Sequence, residues 1–209
     1  MWLTSVLKDI SLTLADTVFP LRNTASLVRD CTPQTFGKLL SPHLSRDGHI
    51  GLLPYRHSVV RAVILEAKFH RNPKAYSLLA AVFTDYVNSL REDMHALHST
   101  SYIILPVPLS ESRHRERGYN QVEEVLKSTP LSYDTKSLLR IKNTKPQTTL
   151  SKKARLSNVT DAFITQGDFQ DGVTYIIVDD VTTTGATLSE IKNLLQKQHV
   201  RVITLAFAY

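Results

Sequence analysis

Apolar residues recur along the chain in two rhythms, one typical of helices and one typical of buried strands. Helical spacing predicts helices over residues 3–18, 59–67, 76–90, 118–126 and 188–195. Short, unbroken apolar runs predict buried strands over residues 102–109, 174–178 and 200–208. Because apolar strands alternate with helices, the sequence predicts an α/β fold with a mostly parallel sheet and helices on both faces.

Two stretches of the chain lack a clear period. Residues 21–54 are punctuated by proline and glycine and are predicted to be irregular. Residues 1–54 are therefore expected to form a helical and irregular elaboration on a domain of residues 55–209. The histidines of this stretch, including His43 and His49, show no metal-ligand spacing. Residues 140–158 are polar and basic and predict a long loop, which in a compact domain is usually functional or disordered.

Composition narrows the class of protein. The 209 residues are 42% apolar and carry a formal charge of +6. This charge favours polyanionic partners, although a basic enzyme without such partners can carry the same net charge. The single cysteine, Cys31, excludes an intrachain disulfide framework and a cysteine-rich zinc site. No apolar run is long enough to span a bilayer. Asp9 and Asp16 interrupt the apolar residues of the N-terminal segment, which is therefore not expected to be a signal peptide. We expect a cytoplasmic protein.

The densest group of polar residues follows the strand predicted at residues 174–178. Asp179 and Asp180 end this strand, and a threonine–glycine loop leads into the next helix. Ligands of α/β sheets bind beyond the carboxyl ends of strands, and a helix N-terminus offers unpaired N–H groups to phosphate. Two carboxylates would repel phosphate, so we expect them to face sugar hydroxyls or a cation. A phosphorylated sugar satisfies both requirements, whereas the alternative is an ordinary capping turn.

A second polar group follows the strand predicted at residues 102–109. Arg113, Arg115 and Arg117 fall on a predicted turn, after which Gly118 is expected to open the next helix. Arginine binds phosphate oxygens through a planar fork of donors. The segment is therefore a candidate phosphate-binding turn. The alternative is a solvent-exposed basic turn balanced by two neighbouring glutamates.

Residues 176–187 resemble the signature with which type I phosphoribosyltransferases bind 5-phosphoribosyl-1-diphosphate (PRPP). The signature is a run of apolar residues, two acids, an apolar residue, any residue, Thr-Thr-Gly, any residue and Thr, and every position matches. The resemblance implies that Asp179 and Asp180 hold the ribose hydroxyls. It also implies a cradle for the 5′-phosphate that consists of Thr182, Thr183, Thr184, Gly185, Ala186 and Thr187.

Two further segments resemble the competence protein F (ComF) family, a branch of these transferases. One is Arg-Glu-Arg-Gly-Tyr-Asn-Gln at residues 115–121. The other is Thr-Lys-Pro-Gln-Thr at residues 144–148, followed by Arg-Leu-Ser-Asn at residues 155–158. The resemblance implies that the diphosphate is contacted by Ser110, Arg113 and Arg117. It further implies a flexible lid that carries Lys145, Gln147 and Arg155, the last of which joins Asp179 and Asp180 in the catalytic set.

One departure from the family pattern concerns zinc. Members of the family commonly begin with cysteine pairs that bind zinc just after a Phe-Pro dipeptide. Here Phe19 and Pro20 are present, but Cys31 is the only cysteine of the chain. The sequence therefore predicts a degenerate zinc module, and we expect the protein to hold no zinc.

The resemblance implies transfer of a phosphoribosyl group from PRPP to a nitrogenous acceptor, with release of diphosphate, as in nucleotide metabolism. Mg²⁺ is expected to bridge diphosphate and ribose oxygens, because it favours phosphate together with few carboxylates. The alternative is a protein of natural competence and DNA uptake that binds PRPP without turnover and handles single-stranded DNA on its basic face. The sequence leaves the acceptor open, and it leaves open whether the protein is a homodimer.

Overall fold

The computed structural model describes residues 22–96, 101–142 and 161–209. Over these residues it has seven helices: α1 Arg22–Asp30, α2 Pro33–Gly37, α3 Ser58–Phe69, α4 Pro73–Ala96, α5 Glu111–Arg117, α6 Gln121–Lys127 and α7 Ala186–Gln196. The strands of the same residues are β1 His43–Leu44, β2 Ile50–Leu53, β3 Ser101–Pro106, β4 Leu138–Arg140, β5 Phe163–Thr165, β6 Val173–Val181 and β7 Arg201–Ala208.

Five of the strands form the central sheet in the order β1-β2-β7-β6-β3. Strands β2, β7, β6 and β3 run parallel to one another. Strand β1 pairs antiparallel with β2 at one edge of the sheet. Strands β4 and β5 form a separate antiparallel pair, which we call the β4–β5 hairpin. The fold class predicted from the sequence is therefore confirmed as α/β with a mostly parallel sheet.

Strand β6 lies in the interior of the sheet, and both of its faces are buried. Its residues Ile176 and Val178 point to the side covered by α3, α4 and α6, which we call the helix face. Its residues Tyr175 and Ile177 point to the side covered by α7 and the β4–β5 hairpin, which we call the hairpin face. Burial on both sides explains why this strand is a continuous apolar run rather than an alternating one.

The prediction that residues 21–54 are irregular is wrong. The region contains α1, α2, β1 and β2, which are held by tertiary contacts rather than by a strong local period. Val28 of α1 and Phe36 of α2 are fully buried in the core of the helix face. Strand β2 gains its hydrogen-bonding partner from β7, more than 140 residues later, with Ile50 opposite Leu205. The division of the chain at residue 54 stays a prediction.

The predicted arginine turn is also different in the structure, because it is the short helix α5. Gly118 does not open the following helix but ends α5 in a left-handed conformation with φ 72°. Helix α6 begins instead at Gln121, where the side chain of Asn120 accepts a hydrogen bond from the Val122 N–H at 3.0 Å. Helices commonly end with a glycine in the left-handed conformation. The sequence pattern did not show whether Gly118 ends one helix or begins the next.

Two sequence predictions fall largely or wholly outside the described residues. The helix predicted over residues 3–18 is one of them. The long loop predicted over residues 140–158 is the other, of which only residues 140–142 are described, with Arg140 the last residue of β4. Within the described residues, no helix combines the length and apolar character needed to cross a membrane.

Candidate functional site

The two adjacent carboxylates at the end of β6 have different partners. Successive side chains of a strand alternate between the faces of a sheet. Asp180 therefore continues the row of Ile176 and Val178 on the helix face. Asp179 continues the row of Tyr175 and Ile177 on the hairpin face, where it lines a small hollow with the loop that follows β6. The sequence treated the two residues as one group, whereas the structure places them in two environments.

Asp180 is bound on the helix face by groups from two helices. Its Oδ2 lies 2.8 Å from the Lys68 Nζ at the end of α3 and accepts a hydrogen bond of 2.7 Å from the Gln121 Nε2 of α6. Its Oδ1 accepts the backbone N–H of Val181 at 2.7 Å. Burial by itself would raise the pKa of Asp180, but the Lys68 charge and hydrogen bond hold that pKa well below its ordinary value. Asp180 is therefore ionised and has both oxygens in use.

Asp179 has the opposite electrostatic character. Its Oδ1 accepts the backbone N–H of Asp180 at 2.8 Å. Burial, and then the negative charge of the neighbouring Asp180, raise the pKa of Asp179 to about 7. The carboxyl group therefore exchanges its proton near neutral pH. A group of this kind can accept a hydrogen bond from a sugar hydroxyl or respond to a nearby cation.

The loop after β6, residues 182–185, which we call the threonine loop, carries β6 into α7. Its first residue, Thr182, donates its backbone N–H to the Ala208 carbonyl of β7 at 2.9 Å. Its last residue, Gly185, has φ 71° and directly precedes the first residue of α7. The Oγ1 of Thr184 is buried and has no hydrogen-bond partner among the described residues. Buried polar atoms are normally paired, so this hydroxyl fits a cradle that a ligand completes.

A buried histidine packs against the threonine loop. His49 is only 1% exposed, and its ring nitrogens lie 2.8 Å from the Thr204 Oγ1 of β7 and 2.8 Å from the Ser189 Oγ of α7. A Cβ on Gly185 would lie 2.5 Å from the His49 Cδ2, so that only glycine fits here. Burial, followed by the charge of Lys192, lowers the pKa of His49, which is consistent with a neutral packing and hydrogen-bonding role.

Helix α5 brings the arginine segment to the same edge of the sheet. The Ser110 hydroxyl is buried and caps α5 by accepting the Arg113 N–H at 3.4 Å. Arg117, at the other end of α5, donates from Nη1 to the Gln121 Oε1 at 3.0 Å, and its guanidinium lies 5.2 Å from the centre of the Phe69 ring. Because Gln121 also binds Asp180, a hydrogen-bonded chain runs from Arg117 to the carboxylate. The structure thus brings the predicted acidic and arginine segments together.

Comparison with known proteins places the chain among relatives with names related to DNA use and competence. No protein-family model matches it. It is 35% identical over 143 residues to the DNA utilization protein YhgH of Escherichia coli strain K12, a match covering 64% of this chain and 59% of that protein. It is 38% identical over 107 residues to competence protein F of Haemophilus influenzae, covering 48% and 46% of the two chains. It is 29% identical over 124 residues to competence protein ComFC of Streptococcus pneumoniae, covering 57% and 51%.

These relatives confirm the resemblance to the competence protein F family that was found in the sequence motifs. The matches span between 46% and 59% of the length of these relatives. Activity, substrates and partners of the whole proteins are therefore not carried over with the family name.

Two site residues of this chain were missed by the sequence reasoning, and one of them had a usable signal. Lys68 falls at the same helical position as Val60 and Ile64, four residues apart each, and so extends the buried stripe of α3. His49 had no such signal, because its contacts are with residues 140 and 155 positions away.

The predicted lid residues Lys145, Gln147 and Arg155 lie outside the described residues. Within the described residues there is no group of three or more His, Cys, Asp or Glu side chains that could hold a metal ion. Asp179 is one carboxylate beside a candidate phosphate cradle, a donor set that suits Mg²⁺ only if phosphate oxygens supply most of its ligands. The expectations of bound Mg²⁺ and of no zinc both stay predictions.

Proposed function

We propose that this protein binds PRPP and transfers its phosphoribosyl group to a nitrogenous acceptor, with release of diphosphate. One observation carries the proposal: the Asp179 carboxyl group and the threonine loop share a hollow at the carboxyl end of β6, with the arginines of α5 at the same edge of the sheet. A carboxyl group suited to sugar hydroxyls thus lies beside a loop suited to phosphate, as binding of a phosphorylated sugar requires.

The threonine loop would bind the 5′-phosphate of PRPP. The backbone N–H groups at the start of the eleven-residue helix α7 have no partner within the helix and lie at the positive end of its dipole. The buried Thr184 hydroxyl adds a donor, and Gly185 lets the backbone approach the ligand closely. Ala186 and Thr187, at the first two helical positions, complete the cradle.

The acidic pair would act on the ribose with divided roles. Asp179 faces the hollow and is placed to accept hydrogen bonds from the ribose hydroxyls. Asp180 is occupied by Lys68 and Gln121, so in this conformation it orients the end of β6 and the Arg117 side chain rather than contacting sugar. The diphosphate would lie toward α5, near Arg113 and Arg117.

In the proposed reaction the bond between ribose C1 and the diphosphate oxygen breaks, and its electron pair leaves with the diphosphate. The acceptor nitrogen forms the new bond to C1 and then loses its proton to solvent. Mg²⁺, when bound with PRPP, would neutralise part of the diphosphate charge. The arginines would stabilise the departing diphosphate, and the ionised acidic residues would favour positive charge on the sugar. This mechanism needs no nucleophilic side chain from the protein.

Calorimetry with PRPP and Mg²⁺, followed by a diphosphate-release assay against a panel of purine, pyrimidine and amine acceptors, tests the proposal. Binding that saturates at one PRPP per chain, with release only when an acceptor is present, is the expected result. Absence of PRPP binding to the folded protein would refute the proposal. Binding without release for any acceptor would support a binding role instead.

A second candidate function is a non-catalytic role in DNA uptake, in which the protein binds PRPP and single-stranded DNA. Two observations favour it: the formal charge of +6, and relatives named as DNA utilization and competence proteins. Binding of a labelled oligonucleotide should then weaken steeply between low and high salt, because phosphate contacts release counterions. Salt-independent or undetectable DNA binding would remove this candidate.

A further inference from the structure

His49 joins three parts of the molecule that are far apart in sequence. It directly precedes β2, and its side chain is buried. Its Nδ1 lies 2.8 Å from the Thr204 Oγ1 of β7, and its Nε2 lies 2.8 Å from the Ser189 Oγ of α7. The residue therefore connects the turn between β1 and β2 to a strand of the central sheet and to the helix that follows the threonine loop.

The orientation of the His49 ring is fixed by hydrogen bonds of both the ring and the backbone. A neutral imidazole has one donor nitrogen and one acceptor nitrogen, and a hydroxyl group can pair with either. The His49 N–H donates to the Ser45 Oγ at 3.0 Å, and the His49 carbonyl accepts the Ser45 N–H at 2.8 Å. Burial, and then the charge of Lys192, lower the pKa of the ring, whereas the charge of Asp47 opposes this shift. The neutral ring thus presents a fixed edge to its neighbours.

This edge of the ring lies against the start of α7. A Cβ on Gly185 would be 2.5 Å from the His49 Cδ2, so the ring is in contact with the Gly185 backbone. Ser189, whose hydroxyl the ring also binds, donates its backbone N–H to the Gly185 carbonyl at 2.8 Å. His49 therefore contacts both ends of the first hydrogen-bonded turn of α7.

The start of α7 has no side-chain cap of its own. Helices α3, α5 and α6 each follow a residue whose side chain accepts a backbone N–H of the first turn, namely His57, Ser110 and Asn120. The corresponding residue of α7 is Gly185, which makes no such bond. The first N–H groups of α7 are therefore not used by a cap, and the contact with His49 restrains this helix start instead.

Phosphate binding by such a loop depends on where its donors point. Several N–H groups must converge on one phosphate group, and a displacement of about 1 Å would lengthen their hydrogen bonds together. The first residue of the threonine loop is held by the sheet, through the bond from the Thr182 N–H to the Ala208 carbonyl. The last residue, Gly185, is held by His49. The loop is thus restrained at both ends.

We propose that His49 is a positioning residue for the 5′-phosphate of PRPP, because it sets the place of the threonine loop and of the first turn of α7. This inference rests on the proposed function and adds to it a residue far from the Asp179 segment in sequence. It also gives the region of α1, α2, β1 and β2 a part in the site. PRPP and ribose 5-phosphate, which share the 5′-phosphate, would depend on His49, whereas inorganic diphosphate would not.

The test compares these three ligands, each with Mg²⁺, by calorimetry. His49→Leu removes both ring hydrogen bonds and keeps an apolar side chain in their place, and His49→Gln keeps a donor and an acceptor. We expect His49→Leu to weaken PRPP and ribose 5-phosphate by roughly tenfold and inorganic diphosphate by less than about twofold. His49→Gln should recover part of the loss for the first two ligands.

Val28→Ala is the matched control, because it should lower stability without a change at the threonine loop. Val28 belongs to the same N-terminal region as His49, but it is fully buried in the core of the helix face. Removing its methyl groups leaves a cavity there. All three affinities should stay within about twofold of the wild-type values, since the substitution is distant from the loop. Urea unfolding of each variant shows whether ligand affinity follows overall stability.

Unchanged affinity for PRPP and ribose 5-phosphate in a folded His49→Leu protein would overturn the inference while the proposed function stands. An equal loss for all three ligands, or a loss in Val28→Ala as large as that in His49→Leu, would also overturn it, because affinity would then follow overall stability. If His49→Leu does not fold, the comparison of His49→Gln with Val28→Ala decides in the same way. A wild-type protein that binds neither PRPP nor ribose 5-phosphate would overturn both the inference and the proposed function.

Discussion

The helix face and the hairpin face of the sheet use their polar groups differently at the end of β6. On the helix face, Asp180 is closed into a network: Lys68 and Gln121 bind its carboxylate, and Arg117 binds Gln121. On the hairpin face, Asp179 has a raised pKa and lies beside a loop that contains the buried Thr184 hydroxyl, which no described residue pairs by a hydrogen bond. The two adjacent aspartates thus differ in pKa and in hydrogen bonding because their neighbours come from different elements. The closed face is suited to holding the site in shape, and the open face is suited to binding a ligand.

The largest expected effect is the pH dependence of stability that the raised pKa of Asp179 causes. A carboxyl group whose pKa is higher in the folded than in the unfolded protein binds more protons when folded. The stability difference between wild type and Asp179→Asn should therefore fall as the pH rises from the ordinary value of 3.8 to about 7, and level off above it. We expect a total change of roughly 2 to 4 kcal/mol, at about 1.4 kcal/mol per pKa unit.

Urea unfolding at a series of pH values measures this change. Asp180 should behave in the opposite way, because its pKa is lowered: the stability it contributes is present above the ordinary aspartate range and is lost as the pH falls through it. Parallel pH profiles for Asp179→Asn and Asp180→Asn would show that the two carboxyl groups are equivalent. That result would contradict the difference between the helix face and the hairpin face.

The second prediction concerns the closed network. Asp180→Asn leaves the Lys68 ammonium, whose side chain is 24% exposed, without its charged partner. We expect a loss of about 2 kcal/mol in the free energy of unfolding at pH 7. Asp179→Asn is the matched control and should keep or gain stability at this pH, since it removes a buried like charge. Equal losses for the two variants would contradict a special role for Asp180.

The third prediction concerns ligand binding on the open face. Asp179→Asn should weaken PRPP by at least roughly tenfold, because an amide accepts hydrogen bonds from the ribose hydroxyls less strongly than a carboxylate. Calorimetry at pH 8, where the wild-type carboxyl group is ionised, gives the clearest measurement. An unchanged affinity in the folded Asp179→Asn protein would show that the open face is not the ribose site.

The smallest expected effect tests the support of the threonine loop. Gly185 and Gly167 both have positive φ, 71° and 82°, but a Cβ would meet His49 at Gly185 and nothing within 4 Å at Gly167. Gly167→Ala should cost about 1 kcal/mol for the left-handed backbone alone. Gly185→Ala should cost about 1 kcal/mol more and should also weaken PRPP. If the two variants are equally stable, the contact with His49 does not constrain the loop.

Much of the fold could be predicted because its signals are local. The apolar runs around Ile104, Ile176 and Leu205 identified the three strands β3, β6 and β7, and the helices between them followed from helical spacing. Strand β2 was missed because four residues with a glycine give no period, and its pairing with β7 joins opposite ends of the described chain. Helix α5 was missed because all seven of its residues are polar, so that capping by Ser110 and Gly118 defines it.

The candidate site likewise has features that follow from local sequence and features that follow only from tertiary contacts. By itself, the sequence determined that two acids end a buried strand and that a threonine–glycine loop leads from them into a helix, since these residues are contiguous and their order imposes the geometry. Only the tertiary structure decided that Asp180 is closed by Lys68 and Gln121 and that Asp179 is open. It also placed His49 beneath Gly185. These contacts join residues from 59 to 136 positions apart, and their partners are selected by the packing of the helices on the sheet, which no local pattern encodes.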